Sequence, residues 1–156
     1  MLLLPLLVGG CDLSMKDQAK GTAQGSDLLW PGGPPRQAPP AGTIAMDQPA
    51  RDAALATPPP LTAALIDRGE ERYGIYCAVC HGAGGAGDGT VVRRGFPPPP
   101  SFHARRLVAA PARHIVDVIT NGHGIMYSYA DRVEPADRWA IAAYVKALQR
   151  LPEPGR

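Results

Sequence analysis

Two cysteines separated by two residues and followed at once by a histidine, Cys77-Ala78-Val79-Cys80-His81, constrain this chain more than any other stretch. On one helical turn that spacing places both sulfurs and the imidazole together. Three readings compete for it: a thioredoxin-like redox pair, half of a zinc site, or the attachment point of a c-type haem. The first wants a βαβ context, which the flanking residues do not offer. The second wants a further pair of ligands, although His103, His114 and His123 exist in the chain. The third is complete as it stands. The two thiols meet the two vinyl carbons of a porphyrin, and His81 points at the iron. The residues therefore predict one covalent haem c on Cys77, Cys80 and His81.

The rest of the chain is consistent with a core built round such a group. Aromatic residues make up only 6 % of 156 residues, a thin supply of large side chains that a rigid apolar cofactor would supplement. Residues 61–76 read as a helix, with Thr62 as N-cap and Leu65, Gly69, Tyr73 and Tyr76 at helical spacing. Gly69 costs that helix about 1 kcal/mol against alanine, so another element is expected to pass close over it. The glycine-rich stretch 82–89 reads as a loop packed against the haem edge. No GK[ST] follows it, which excludes a phosphate loop. A proximal histidine needs an acceptor for its second ring nitrogen. A carbonyl from Pro97, Pro98, Pro99 or Pro100 can supply one, and spacing does not choose among them.

A second helix is expected over 111–121, stopped by Asn121-Gly122, and a last one over 135–151. In that last helix Trp139, Ala143, Tyr144, Ala147, Leu148 and Leu151 share one face, expected to cross the first helix near Gly69 and Tyr73. The loop between these helices carries His123-Gly124-Ile125-Met126. Met126 is the candidate sixth ligand, His123 its rival, and an open site the third option. Met/His ligation raises the reduction potential relative to two histidines.

The N-terminal third is different. Residues 2–8 are apolar but too few to span a bilayer, and read as the core of an export signal. No Lys or Arg precedes them, so translation is expected to begin upstream of Met1. Val8-Gly9-Gly10-Cys11 resembles the lipobox of bacterial lipoproteins, which implies cleavage before Cys11 and acylation of that residue. Nine of the 18 prolines lie between Pro31 and Pro60, and no helical or strand period persists over 12–60. That stretch is expected to be irregular. It serves either as a free tether or as a segment that orders on a partner through Leu28, Leu29, Trp30 and Ile44. The expected organisation is a signal peptide over 1–10, a lipid-anchored Pro-rich extension over 11–60 and a haem domain over 61–152. A net charge of +2 argues against a nucleic-acid partner. Arg93, Arg94, Arg105, Arg106 and Arg113 form either a solvated surface or a counterpart to haem propionates or an acidic redox partner.

Taken together, residues 61–151 resemble a class I cytochrome c. The resemblance rests on Gly69 and Tyr73, the Cys77–His81 motif, the glycine loop, Pro100 to Phe102, Asn121 to Met126, and Trp139 with Tyr144. It implies an all-α fold of about three to four helices round one covalent haem with His/Met-ligated iron. It also points to Pro100 as the acceptor for His81. A closer resemblance, in Cys11-Asp12-Leu13-Ser14-Met15-Lys16-Asp17-Gln18, Gly42-Thr43-Ile44-Ala45, Arg72 to Cys77 and Gly95-Phe96-Pro97, is to the monohaem cytochrome c lipoprotein subunit of alternative complex III. That implies an electron-transfer subunit, not itself an enzyme, on the periplasmic face of the bacterial inner membrane. Its partners would be the membrane through Cys11, the other subunits of a quinol-oxidising respiratory complex, and a soluble carrier or terminal oxidase. Two other readings stand beside it: an independent tethered cytochrome serving an oxidase or dehydrogenase, and a haem-based ligand sensor.

Overall fold

The structure is a computed structural model and describes residues 40–152. The expected signal peptide, Cys11, and the anchors Leu28, Leu29 and Trp30 lie outside the described residues. The chain divides into two units, Met1–Ile44 and Ala45–Arg156. In the first, residues 40–44 form a turn in which Thr43 N–H and Oγ1 both donate to the Pro40 carbonyl, at 3.0 and 2.7 Å.

The second unit is helical. Its elements are α1 (Gln48–Ala56), α2 (Ala63–Tyr76), α3 (Ala78–His81), a 3₁₀ turn (Val92–Arg94), α4 (Arg105–Ala109), α5 (Ala112–Asn121) and α6 (Pro135–Leu148). No strand forms among the described residues, and none of their helices is long and apolar enough to cross a membrane. The all-α expectation holds.

Each helix boundary has a local cause. Thr62 Oγ1 accepts from Leu65 N–H at 3.1 Å, which satisfies one of the free donors at the start of α2. Gly122, at φ 78°, ends α5 in a conformation that side chains avoid. Pro111 stands as the N-cap of α5, one position before the helix proper.

α2 and α6 cross at Gly69. A β-carbon there would run into the Ala140 carbonyl and lie 2.8 Å from Tyr144 Cβ. Below the crossing, the Tyr73 and Tyr144 rings meet at 5.3 Å between centroids, and Arg68 grips Asp137 with Nε and Nη2 at 2.8 and 3.2 Å. The expected contact near Gly69 and Tyr73 is thus formed.

The buried face of α6 differs from the expected one. Trp139, Ala140, Ile141, Ala142, Val145 and Leu148 are buried, whereas Leu151 lies beyond the helix end and is 60 % exposed. The reason is that α6 is central. It packs on α1, α2 and α5 from different sides, so burial is not confined to one stripe.

A second correction concerns the extension, which is not irregular up to Pro60. α1 lies on α5 and α6: Trp139 Nε1 donates to Ala54 O at 3.1 Å, Arg113 Nη1 to Leu55 O at 2.9 Å, and Arg51 Nη1 to Glu134 Oε2 at 2.7 Å. Leu55 packs on the cluster of Val116, Trp139 and Ala142. Nine residues make a marginal helix in water. Here its last carbonyls are taken by an indole and a guanidinium from elsewhere in the chain.

Candidate functional site

α2 runs almost directly into α3. Cys77 N–H still bonds Tyr73 O at 2.9 Å, while Cys80 N–H and His81 N–H both turn back to Cys77 O at 3.1 and 2.9 Å. That single turn directs Cys77, Cys80 and His81 to one cavity of about 500 Å³. Met126, His123 and Pro100 line the same cavity. The five residues expected at the centre are therefore brought together. Apolar side chains from α2, α5 and α6, among them Ile115, Ile119, Ile141 and Val145, form the floor.

The proximal side is rigidly supported. Buried Tyr73 donates its hydroxyl to Gly82 O at 2.6 Å, and burial holds that phenol protonated. Phe102 stacks on the His81 ring at 4.5 Å and 14°, and its N–H donates to Gly85 O at 2.8 Å. Gln149 Nε2 holds the Phe102 and Leu107 carbonyls at 2.9 and 3.1 Å. The glycine loop does not line the cavity, contrary to expectation. Its glycines approach protein instead: a β-carbon on Gly87 or Gly89 would strike the Pro99 or the Val79 carbonyl, and one on Gly85 would lie 2.7 Å from the Phe102 ring. The loop also gives Gly87 N–H to His81 O at 2.8 Å, and its Gly84 carbonyl sits 2.9 Å from His103 Nε2. Its smallness lets it fold tightly behind α3.

On the distal side, Met126 sits in a short turn. His123 and Met126 exchange backbone hydrogen bonds at 2.9 and 3.0 Å. The base of the turn closes where Ser128 Oγ donates to Thr120 O at 2.6 Å and Tyr129 N–H to Ile119 O at 2.9 Å. Ile125 and Tyr127, 57 and 84 % exposed, stand with Phe96 at the cavity rim.

The donor chemistry fits a covalently held haem. Burial pushes the Cys77 thiol up to about 12, with Cys80 adding to it, and lowers His81 to about 4. His81 is thus a neutral imidazole whose lone pair is free for a metal. Its Nδ1 is buried with no hydrogen-bond partner, and no bond to Pro100 is formed. The Met126 thioether in the same cavity completes a nitrogen–sulfur pair suited to haem iron. For the zinc reading, no three or more His, Cys, Asp or Glu side chains are grouped to hold a metal ion among the described residues, although His114 and His123 line the cavity and His103 does not. Two contributors were not anticipated as site residues, Phe102 against His81 and Gln149 behind it. Phe102 falls in the Pro100–Phe102 segment that carries the family resemblance, with no sign there of its stacking on His81, and Gln149 carries no pattern in sequence because it works through partners distant in the chain.

Residues 64–145 match the family described as cytochrome c oxidase, cbb3-type, subunit III. The match runs from the start of α2 to near the end of α6 and contains every cavity residue named above except Gln149. No curated protein matches the chain.

Proposed function

Because this chain belongs to the family of cytochrome c oxidase, cbb3-type, subunit III, and is a c-type cytochrome of class I fold that transfers electrons, we propose that Cys77, Cys80, His81 and Met126 hold a single haem for that purpose. The observation that carries the assignment is the convergence of these four side chains on one apolar cavity. When bound, the haem supplies a reversible one-electron iron couple. Cys77 and Cys80 would fix it through thioether bonds, and His81 and Met126 would supply a nitrogen and a sulfur ligand to its iron. His81 Nδ1 needs an acceptor to set its ring angle, and Pro100, which lines the same cavity, is the one we assign. The apolar floor excludes water, and with Met126 it favours a raised potential.

The finer reading is a periplasmic, membrane-tethered subunit of a quinol-oxidising alternative complex III, anchored through acylated Cys11 and passing electrons to a soluble carrier or oxidase. It is supported by the resemblance of residues 11–18 and 42–45 to that subunit. A second reading, an independent tethered cytochrome serving an oxidase, is favoured by the description of the matched family. α1 sharpens the choice between them. Residues 48–56 fold onto the haem domain itself, so only the chain before Ala45 reports on neighbours.

Purification from detergent-solubilised membranes tests the assignment. Co-migration with a large quinol-oxidising assembly is expected. Migration alone, with rapid protease cleavage before Ala45 in native membranes, selects the second reading. CO binding by the reduced protein would instead indicate an open iron and a sensor.

A further inference from the structure

Arg138, in the first turn of α6, is a charged residue with 2 % of its surface exposed. Burying a guanidinium is costly unless its donors are met. Its hydrogen-bond acceptors among the described residues are neutral oxygens from three places. Nε donates to Val133 O at 2.9 Å, Nη2 to Ala130 O at 2.9 Å, and Nη1 to Thr120 Oγ1 at 3.0 Å. Thr120 gives its own hydroxyl hydrogen to Val116 O at 2.7 Å, which leaves its lone pairs for Arg138.

These acceptors bracket the Met126 loop. Thr120 precedes it, while Ala130 and Val133 follow it. The loop tip is not held by packing, since Ile125 and Tyr127 on either side of Met126 are largely exposed. Its geometry is set at the base, where Ser128 and Tyr129 also tie back to Thr120 and Ile119. Arg138 belongs to α6, which crosses α2 at Gly69, and α2 leads directly into the Cys77–His81 turn. One helix thereby contacts both the base of the Met126 loop and the helix that leads into the Cys77–His81 turn.

We propose that Arg138 is a positioning residue for the sixth ligand: its buried fork clamps the two ends of the Met126 loop to α6 and fixes the Met126 sulfur against the iron. This rests on Met126 being that ligand. The thioether–iron bond is weak compared with imidazole–iron, so its occupancy depends on how often the loop is held closed, and Arg138 sets that population.

The test uses the full-length, haem-loaded cytochrome with Arg138→Gln, Arg138→Lys, Thr120→Val and Met126→Ala. Three signals are read: the weak ferric band at about 700 nm that marks Met ligation, the affinity of the ferric protein for imidazole, and the far-ultraviolet helical signal. Arg138→Gln is expected to bind imidazole about tenfold more tightly, because the open state is more populated. Its Met band is expected to fade on warming before helix is lost. Arg138→Lys should recover part of the effect. Thr120→Val, which removes one clamp bond, should shift imidazole affinity about threefold in the same direction, and it carries the test if Arg138→Gln does not fold. Imidazole affinity unchanged in the folded variants overturns the proposal, as does a Met band lost only together with helix. A wild type without the band, or a Met126→Ala protein that keeps it, overturns the ligand assignment itself and the positioning role with it.

Discussion

Gly69→Ala and Gly74→Ala place the same methyl group on the same helix and should move stability in opposite directions. At Gly74 an added β-carbon meets nothing within 4 Å. The substitution then gains helix propensity, roughly 0.5–1 kcal/mol. At Gly69 that gain is opposed by the α2–α6 crossing, where the methyl would overlap the Ala140 carbonyl oxygen and lie 2.6 and 2.8 Å from Ala140 C and Tyr144 Cβ. The first two of these atoms are backbone and cannot rotate away, so the helices must separate. Overpacking costs about 1–3 kcal/mol, and rigid neighbours put this site at the upper end. Subtracting the propensity gain leaves a net loss of about 2 kcal/mol, or a fall in Tm of roughly 10 °C for a domain of this size. Chemical and thermal denaturation of the haem-loaded protein measure it. Stability for Gly69→Ala equal to or above wild type would refute the reasoning. Propensity would then outweigh the crossing, and the spacing of α2 and α6 would not depend on the missing side chain.

Three further outcomes are expected. Met126→Ala should lower the reduction potential and abolish the ferric Met band while the haem remains covalently attached, as redox titration and denaturing gels stained for haem will read; an unchanged potential removes Met126 as ligand. Gly122→Ala should weaken Met ligation, because φ 78° is strained for alanine and its β-carbon would stand 2.5 Å from Met126 O and 2.9 Å from Ser128 N; such strain costs about 1–3 kcal/mol, and a Met band as heat-resistant as wild type would count against it. Trp139→Phe should release α1 by removing the bond to Ala54 O, worth about 1 kcal/mol, and tryptic cleavage at Arg51 should accelerate several-fold with the haem spectrum little changed.

What could be read from the chain before folding was the chemistry that is local. The Cys77–His81 spacing, the Thr62 cap and the Gly122 stop each act within a few residues, so their geometry is written next to them. Gly69 was legible as a cost that some neighbour had to explain, and Ala140 explains it. α1 was not legible, because its stability comes from Trp139 and Arg113, 85 and 58 residues away from the carbonyls they hold. The glycine loop was assigned the wrong neighbour: its composition announces a close approach but cannot say to what, and Pro99, Phe102 and Val79 take the place expected of the haem edge. Nothing in the sequence singles out Arg138, between Asp137 and Trp139. Only the fold gathers Thr120, Ala130 and Val133 round it.

The crossing of α2 and α6 has an architectural consequence. Leu61 and Leu65, where the chain enters the haem domain, share a shallow apolar groove with Ala147 and Arg150, where it leaves. Entry and exit are therefore neighbours, although most of the domain lies between them in sequence. A unit with adjoining ends behaves as a plug-in module. It can be appended to a tether, inserted into the loop of a larger subunit or fused in tandem without disturbing the cavity. A circularly permuted chain, with the two ends joined by a short linker and new termini opened at the exposed Gly95, should still attach haem and show the spectrum of the parent.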